Sequence, residues 1–313
     1  MRVLLDVFFL VLGFVVLVRS AKLFVDASVE IAKRLRIPSL VIGLTVVAMG
    51  TSAPELVISV SAAIGGKGDL AVANVVGSNI FNLLFIVGFC AMLYPIDVKL
   101  RAISRDYWVS FAATVVLLLL VIVFRDTIPR WGSLILLLGF IAYMVVVVRS
   151  ASKNKTPEEE TDGKPKPLAL SILLAILGAA LIVGGGQLTV AAAVDIATFL
   201  GITERVIGLT IVAMGTSLPE LVTTLIACRK KEGEFAIGFI VGSSIFNIMF
   251  VLGVAGLITP VTVERSVLFD LTVLTVGTLA FFFFARSNSR VVRVEGAAML
   301  VMYLGYMAFV LMP

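Results

Sequence analysis

Histidine is absent from all 313 residues, and there are only two cysteines, Cys90 and Cys228. The first absence removes His-based zinc sites, His general bases and His proton relays, which leaves carboxylates, hydroxyls and amides for polar chemistry. Two isolated cysteines in apolar surroundings imply neither a disulfide framework nor a metal cluster. Charge is scarce as well: 14% of the residues are Asp, Glu, Lys or Arg, where a soluble domain carries about 25%. With 60% hydrophobic residues, the chain reads as an integral membrane protein. The net charge of +5 does not point to nucleic acid, because the basic residues flank apolar runs. The run from Val3 to Val18 behind Arg2 reads as a first span, since no small-residue cleavage site leading into a soluble domain follows it.

A span needs about 20 apolar residues. That ruler predicts ten, at 3–20, 39–64, 70–94, 107–124, 131–148, 168–186, 204–228, 235–259, 266–285 and 294–312. The stretch 149–167, polar, charged and proline-rich, reads as a linker between two halves of five spans, 1–148 and 168–313. Of the 25 Lys and Arg residues, 19 fall after spans 1, 3, 5, 7 and 9. The positive-inside rule then puts that side and the linker in the cytoplasm, and both termini outside. The expected location is the plasma (inner) membrane.

Inside this apolar background a short polar stretch occurs twice. Residues 41–57 read VIGLTVVAMGTSAPELV and 206–222 read VIGLTIVAMGTSLPELV, so 15 of 17 positions agree at an offset of 165. Five spans is an odd number, so homologous halves must insert with opposite topology. The charges agree with this: Arg19, Lys22, Lys33 and Arg36 become Gly184, Gln187, Thr198 and Gly201 in the second half. Inverted repeats of this kind are typical of secondary transporters, whose sites lie near the midplane on interrupted helices.

Pro54 lacks an N–H and clashes with the preceding turn, which predicts a kink or unwinding that frees carbonyls near Ala48 and Met49. Glu55 follows Thr51 by four residues and Ser52 by three, hence on a shared face. Ala213, Thr216, Ser217 and Glu220 repeat the pattern. Spans 3 and 8 add Gly77-Ser78-Asn79-Ile80-Phe81-Asn82 and Gly242-Ser243-Ser244-Ile245-Phe246-Asn247, also 165 apart. Ser78 with Asn82, and Ser243 with Asn247, each present a hydroxyl and an amide on one face, while Gly77 and Gly242 permit close helix approach. An oxygen-only cluster with two carboxylates suits hard cations such as Na+ and Ca2+. A lone Ser or Thr in a membrane helix usually bonds its own backbone, but a carboxylate in mid-span costs about 2.5–3.5 kcal/mol on insertion scales and marks function.

These paired motifs resemble those of the sodium/calcium exchanger branch of the cation/calcium antiporter superfamily, in the prokaryotic form without a large regulatory loop. The resemblance covers the whole chain. It implies an all-α integral membrane fold of ten transmembrane helices in two inverted repeats, interrupted at spans 2 and 7, with ion sites between spans 2, 3, 7 and 8. It implies that Glu55 and Glu220 are the central carboxylates, completed by Thr51, Ser52, Thr216, Ser217 and the carbonyls of Ala48 and Ala213. Ser78 and Ser243 would serve outer Na+ positions, with Asn82 and Asn247 flanking the centre. Two positions depart from the usual asparagine pattern, Phe239 opposite Asn74 and Ser244 opposite Asn79, and put the packing around span 8 in question. The expected activity is Na+/Ca2+ antiport by alternating access, not enzyme catalysis, with no cofactor. The expected partners are the two ions and the lipid bilayer, no nucleic acid, and a single chain as the transport unit. A Ca2+/H+ antiporter using the same carboxylates is the first alternative, and a passive cation channel the next.

Overall fold

A computed structural model describes residues 2–124, 127–153, 167–201, 213–264 and 266–311. Most of the 149–167 linker and the first part of the expected seventh span fall outside them. In chain order the elements are α1 (Arg2–Leu35), α2 (Ser39–Thr51), α3 (Ala53–Ile64), α4 (Gly68–Leu93), β1 (Ile96–Asp97), α5 (Leu100–Val123), β2 (Thr127–Ile128), α6 (Arg130–Lys153) and α7 (Leu168–Phe199). A helical turn Ala213–Gly215 then precedes α8 (Leu218–Arg229), α9 (Gly233–Ile258), β3 (Val261–Thr262), α10 (Ser266–Asn288), β4 (Arg290–Val291) and α11 (Arg293–Leu311). Among the described residues eight helices are long and apolar enough to cross a bilayer, and the bent pair α2–α3 makes nine.

The fold is all-helical, with α4 and α9 at its centre. The most apolar 18 residues of α9 are 94% buried and those of α4 78%, against 22% in α1 and 17% in α11. The outer helices present Phe8, Phe14, Leu138, Ile176, Phe283 and Val301 outward, a surface that only a hydrocarbon surround makes favourable.

Two expected spans are too short. The apolar ruler ends the first at residue 20 and the sixth at 186, but α1 runs to Leu35 and α7 to Phe199. Thus Arg19, Lys22, Lys33 and Arg34 ride on α1 and do not form a loop. The two long helices pack on each other, and small residues set their separation. A Cβ on Gly13 would come within 2.8 Å of the Thr189 nitrogen, and one on Gly185 within 2.9 Å of the Leu17 nitrogen.

Boundaries recur at the sequence offset of 165: α3 with α8, α4 with α9, and β1 with β3. Two short antiparallel ribbons join the halves. Ile96 pairs with Val291 between β1 and β4, and Thr127 with Thr262 between β2 and β3. Arg290 reinforces the first ribbon, its guanidinium donating to Asp97 at 3.0 and 2.9 Å.

Candidate functional site

Span 2 bends without unwinding. Helix α2 stays wound to Thr51, and α3 restarts at Ala53 at 49° to it. Only Ser52 (φ −82°, ψ 11°) leaves the helical region. Pro54 takes the second position of the new helix, where its missing N–H leaves no bond unmade. The Ala48 carbonyl is not freed as expected: it accepts the Ser52 N–H at 3.1 Å. In the second half Ser217 likewise precedes α8, with Pro219 in its first turn. Glu55 and Glu220 therefore sit in the first turns of α3 and α8, where the positive end of each helix dipole favours a carboxylate. Glu55 is 1% exposed and Glu220 fully buried. Glu220 lies close enough for its charge to act on Glu55. Among the described residues no ion pair includes either of them.

Ser52 does not cap its own helix. Its hydroxyl reaches across to the other half, 3.3 Å from Glu220 Oε1 and 2.7 Å from Ser243 Oγ. Asn82 Nδ2 donates to Ser243 Oγ at 3.5 Å. An amide nitrogen can only donate and a carboxylate can only accept, so the protons run one way, from Asn82 to Ser243 to Ser52 to Glu220. The Thr51 hydroxyl turns back into its own helix, donating to Val47 O at 3.2 Å, with Ala48 O at 3.5 Å.

Asn82 and Asn247 stand in matching π-helical turns, Phe81–Ile86 and Phe246–Val251. Such widened turns recur at functional sites because they re-aim side chains that a regular helix would carry past. Each turn carries a stacked ring pair, Phe81 on Phe85 and Phe246 on Phe250, both with centroids 4.8 Å apart. Neither turn was legible in the sequence.

Span 2 approaches α9 backbone to backbone. A Cβ on Gly242 would fall 2.6 Å from the Leu44 Cα, and one on Gly43 2.7 Å from the Phe235 carbonyl oxygen. Gly242 thus fulfils its expected role, whereas Gly77 has no such neighbour among the described residues.

Several buried oxygens find no hydrogen-bond partner among the described residues, including Glu55 Oε2, Glu220 Oε2, Asn82 Oδ1, Asn247 Oδ1 and Ser217 Oγ. Buried polar atoms ordinarily find a partner, and acceptors from two carboxylates, two amides and a hydroxyl have the chemistry to replace the hydration shell of a hard cation. Of the other predicted site residues, Ser78 is 5% exposed, Ala48 is fully buried, Thr216 is half-buried, and Ala213 opens the turn before α8.

Two residues outside the predicted set hold the first half in place. Asn74 donates to the Glu55 carbonyl at 3.3 Å and to Ser59 Oγ at 3.0 Å, tying α4 to the helix that carries the carboxylate. The detectable signal was an amide in an apolar span with a hydroxyl on the neighbouring span. At the matching position of the second half, fully buried Phe239 packs beside Phe235, ring centroids 6.5 Å apart. The packing around span 8 that the sequence left in question is thus an apolar plug.

The family model described as sodium/calcium exchanger protein matches residues 5–149 and 170–312. CaxA of Alkalimonas amylolytica is 38% identical over 309 residues, covering 95% of this chain and 96% of that one. The sodium/calcium exchanger MaX1 of Methanosarcina acetivorans is 32% identical over 341 residues, with 95% and 96% covered. Among solved structures, the sodium-calcium exchanger NCX_Mj superposes with a TM-score of 0.87 at 30% identity, covering 98% of this chain and 99% of that one. The chain belongs to the sodium/calcium exchanger family, multi-pass membrane antiporters that transport Na+ and Ca2+.

Proposed function

We propose that this protein exchanges Na+ for Ca2+ by alternating access, the two ions competing for one buried site built on Glu55 and Glu220. The observation that carries the reading is the chain of polar groups that crosses between the halves from Asn82 through Ser243 and Ser52 to Glu220, with buried Glu55 within reach of the Glu220 charge. Ca2+ takes six to eight oxygens at about 2.3–2.6 Å, and carboxylates, amides and hydroxyls supply them. Thr51, Thr216, Ser217, Ser78, Ser243 and the carbonyls of Ala48 and Ala213 are the further ligands we assign, Na+ taking the hydroxyl-rich flanks. An empty site would hold two like charges in low dielectric, which opposes passage without cargo and enforces exchange over leak.

The ribbons support ten spans in two inverted repeats, 1–148 and 168–313. Because β1 pairs with β4 and β2 with β3, an even number of crossings must separate each pair. Between β1 and β4, helices α5, α6, α7, α9 and α10 supply five, so the segment ending in α8 supplies the sixth. Helix α5, about 36 Å long, separates β1 from β2, and β3 pairs with β2. The repeat-related β1 and β3 therefore lie at opposite ends of the bundle, as inversion requires. We place this protein in the inner membrane, with the linker cytoplasmic and the termini outside.

The test is 45Ca2+ uptake into Na+-loaded proteoliposomes by the native protein, Glu55→Gln and Glu220→Gln. Loss of uptake in both variants is expected. Uptake indifferent to both substitutions would overturn the site, and uptake driven by a pH gradient alone would replace Na+ with H+ as the counter-ion.

A further inference from the structure

Among the described residues Asn79 makes no hydrogen bond to either carboxylate, yet it is fully buried and uses both ends of its amide. Its Nδ2 donates to the Ser244 carbonyl at 3.3 Å, and its Oδ1 accepts from Asn247 Nδ2 at 3.1 Å. The order of these bonds is forced. A backbone carbonyl only accepts, so Asn79 must turn its NH2 to Ser244 and its oxygen to Asn247. Asn247 must then answer with its own NH2, which turns its Oδ1 the other way. That oxygen is one of the buried acceptors without a donor.

We infer that Asn79 is a positioning residue of the ion site: it reads the polarity of the Ser244 carbonyl and fixes the Asn247 amide with its oxygen toward the cation. This rests on the site proposed above. An amide released from Asn79 is free to reverse, and the reversed form presents an N–H donor to the cation. Among the described residues nothing equivalent serves the first half. Ser244, the counterpart of Asn79, spends its hydroxyl on Ile240 O at 3.0 Å, and among the described residues the Asn82 amide has the 3.5 Å contact to Ser243 alone. One amide of the pair is locked and the other is loosely held.

The test is the Ca2+ dependence of Na+-driven uptake for Asn79→Leu and Asn79→Ser, in the native background and in Asn247→Asp. A carboxylate has no amide end to misplace. We expect the apparent KM for Ca2+ to rise about tenfold or more in the native background with kcat little changed, and less than twofold in Asn247→Asp. Equal shifts in the two backgrounds, or no shift in the native one, overturn the inference. If Asn79→Leu does not fold, Asn79→Ser decides. Failure of both to fold in both backgrounds also overturns it, since Asn79 would then serve packing regardless of what stands at 247. Glu220→Gln, measured alongside, separates the two readings. If it is inactive while the Asn79 variants behave as native, only the inference about Asn79 fails; if it transports normally, the site itself fails.

Discussion

The two halves carry nearly identical polar motifs on different supports. Around Glu55, Asn74 grips the backbone of the carboxylate's own helix and the Ser59 hydroxyl. Around Glu220, the matching position is buried Phe239, and Thr224, the counterpart of Ser59, has no hydrogen-bond partner among the described residues. In the proposed site, the difference teaches that residues assigned to the ions follow one pattern because the cation's chemistry demands the same oxygens from both halves. Residues behind them have only to fix a position, which an amide or an aromatic ring can do equally.

Breaking the shared layer should have the largest effect and the same effect in both halves. Glu55→Gln and Glu220→Gln each remove one of the two charges that balance Ca2+, and a loss of at least about a hundredfold in Na+-driven uptake is expected for either. A variant that retained transport in one half alone would show that the carboxylates are not shared.

Substitution behind the ligands should separate the halves. Asn74→Leu leaves the Ser59 hydroxyl and the Glu55 carbonyl without their donor and should cost about 1–3 kcal/mol in thermal unfolding of detergent-solubilised protein, with a raised KM for Ca2+. Phe239→Leu, at the matching position, should cost about 1–1.5 kcal/mol and leave that KM unchanged. Equal KM changes would mean that the supports act alike.

Gly242→Ala sharpens the comparison at the helix crossing. Its Cβ would meet the Leu44 backbone, which cannot move aside as a flexible side chain would. A destabilisation of about 1–3 kcal/mol is expected from overpacking, read by the same unfolding measurement.

The smallest effect belongs to the surface pair between Lys99 and Glu234, 2.7 Å apart with Lys99 78% exposed. The hydrogen bond to Glu234, aided by that carboxylate's charge, holds the Lys99 ammonium above the ordinary lysine range. A raised lysine value means that the pair's contribution is complete at neutral pH and is lost only as pH rises through the folded-state value. Lys99→Ala should therefore cost less than about 1 kcal/mol near pH 7, a difference that disappears in strongly alkaline buffer.

Much of this was legible in the sequence, because a duplicated polar motif inside an apolar chain has few explanations. The motif positions and the bend before Pro54 could be read from local chemistry. The lengths of α1 and α7 could not. A hydropathy ruler stops at Arg19 or at Gly184–Gln187, whereas a helix continues wherever its backbone bonds and a neighbour's packing continue. The wound α2, with its Ala48 carbonyl still bonded, was missed because the proline fits the start of the next helix. The π-helical turns, the ribbons and the path from Ser244 through Asn79 to Asn247 depend on contacts between residues far apart in the chain, which no local pattern encodes.

The central claim is that Na+ and Ca2+ compete for one site. It is tested most directly by the initial rate of 45Ca2+ uptake into Na+-loaded proteoliposomes as external Na+ is raised at several Ca2+ concentrations. Competition predicts a rising apparent KM for Ca2+ at constant maximal rate. A falling maximal rate at constant KM would place the two ions at separate sites and contradict the account.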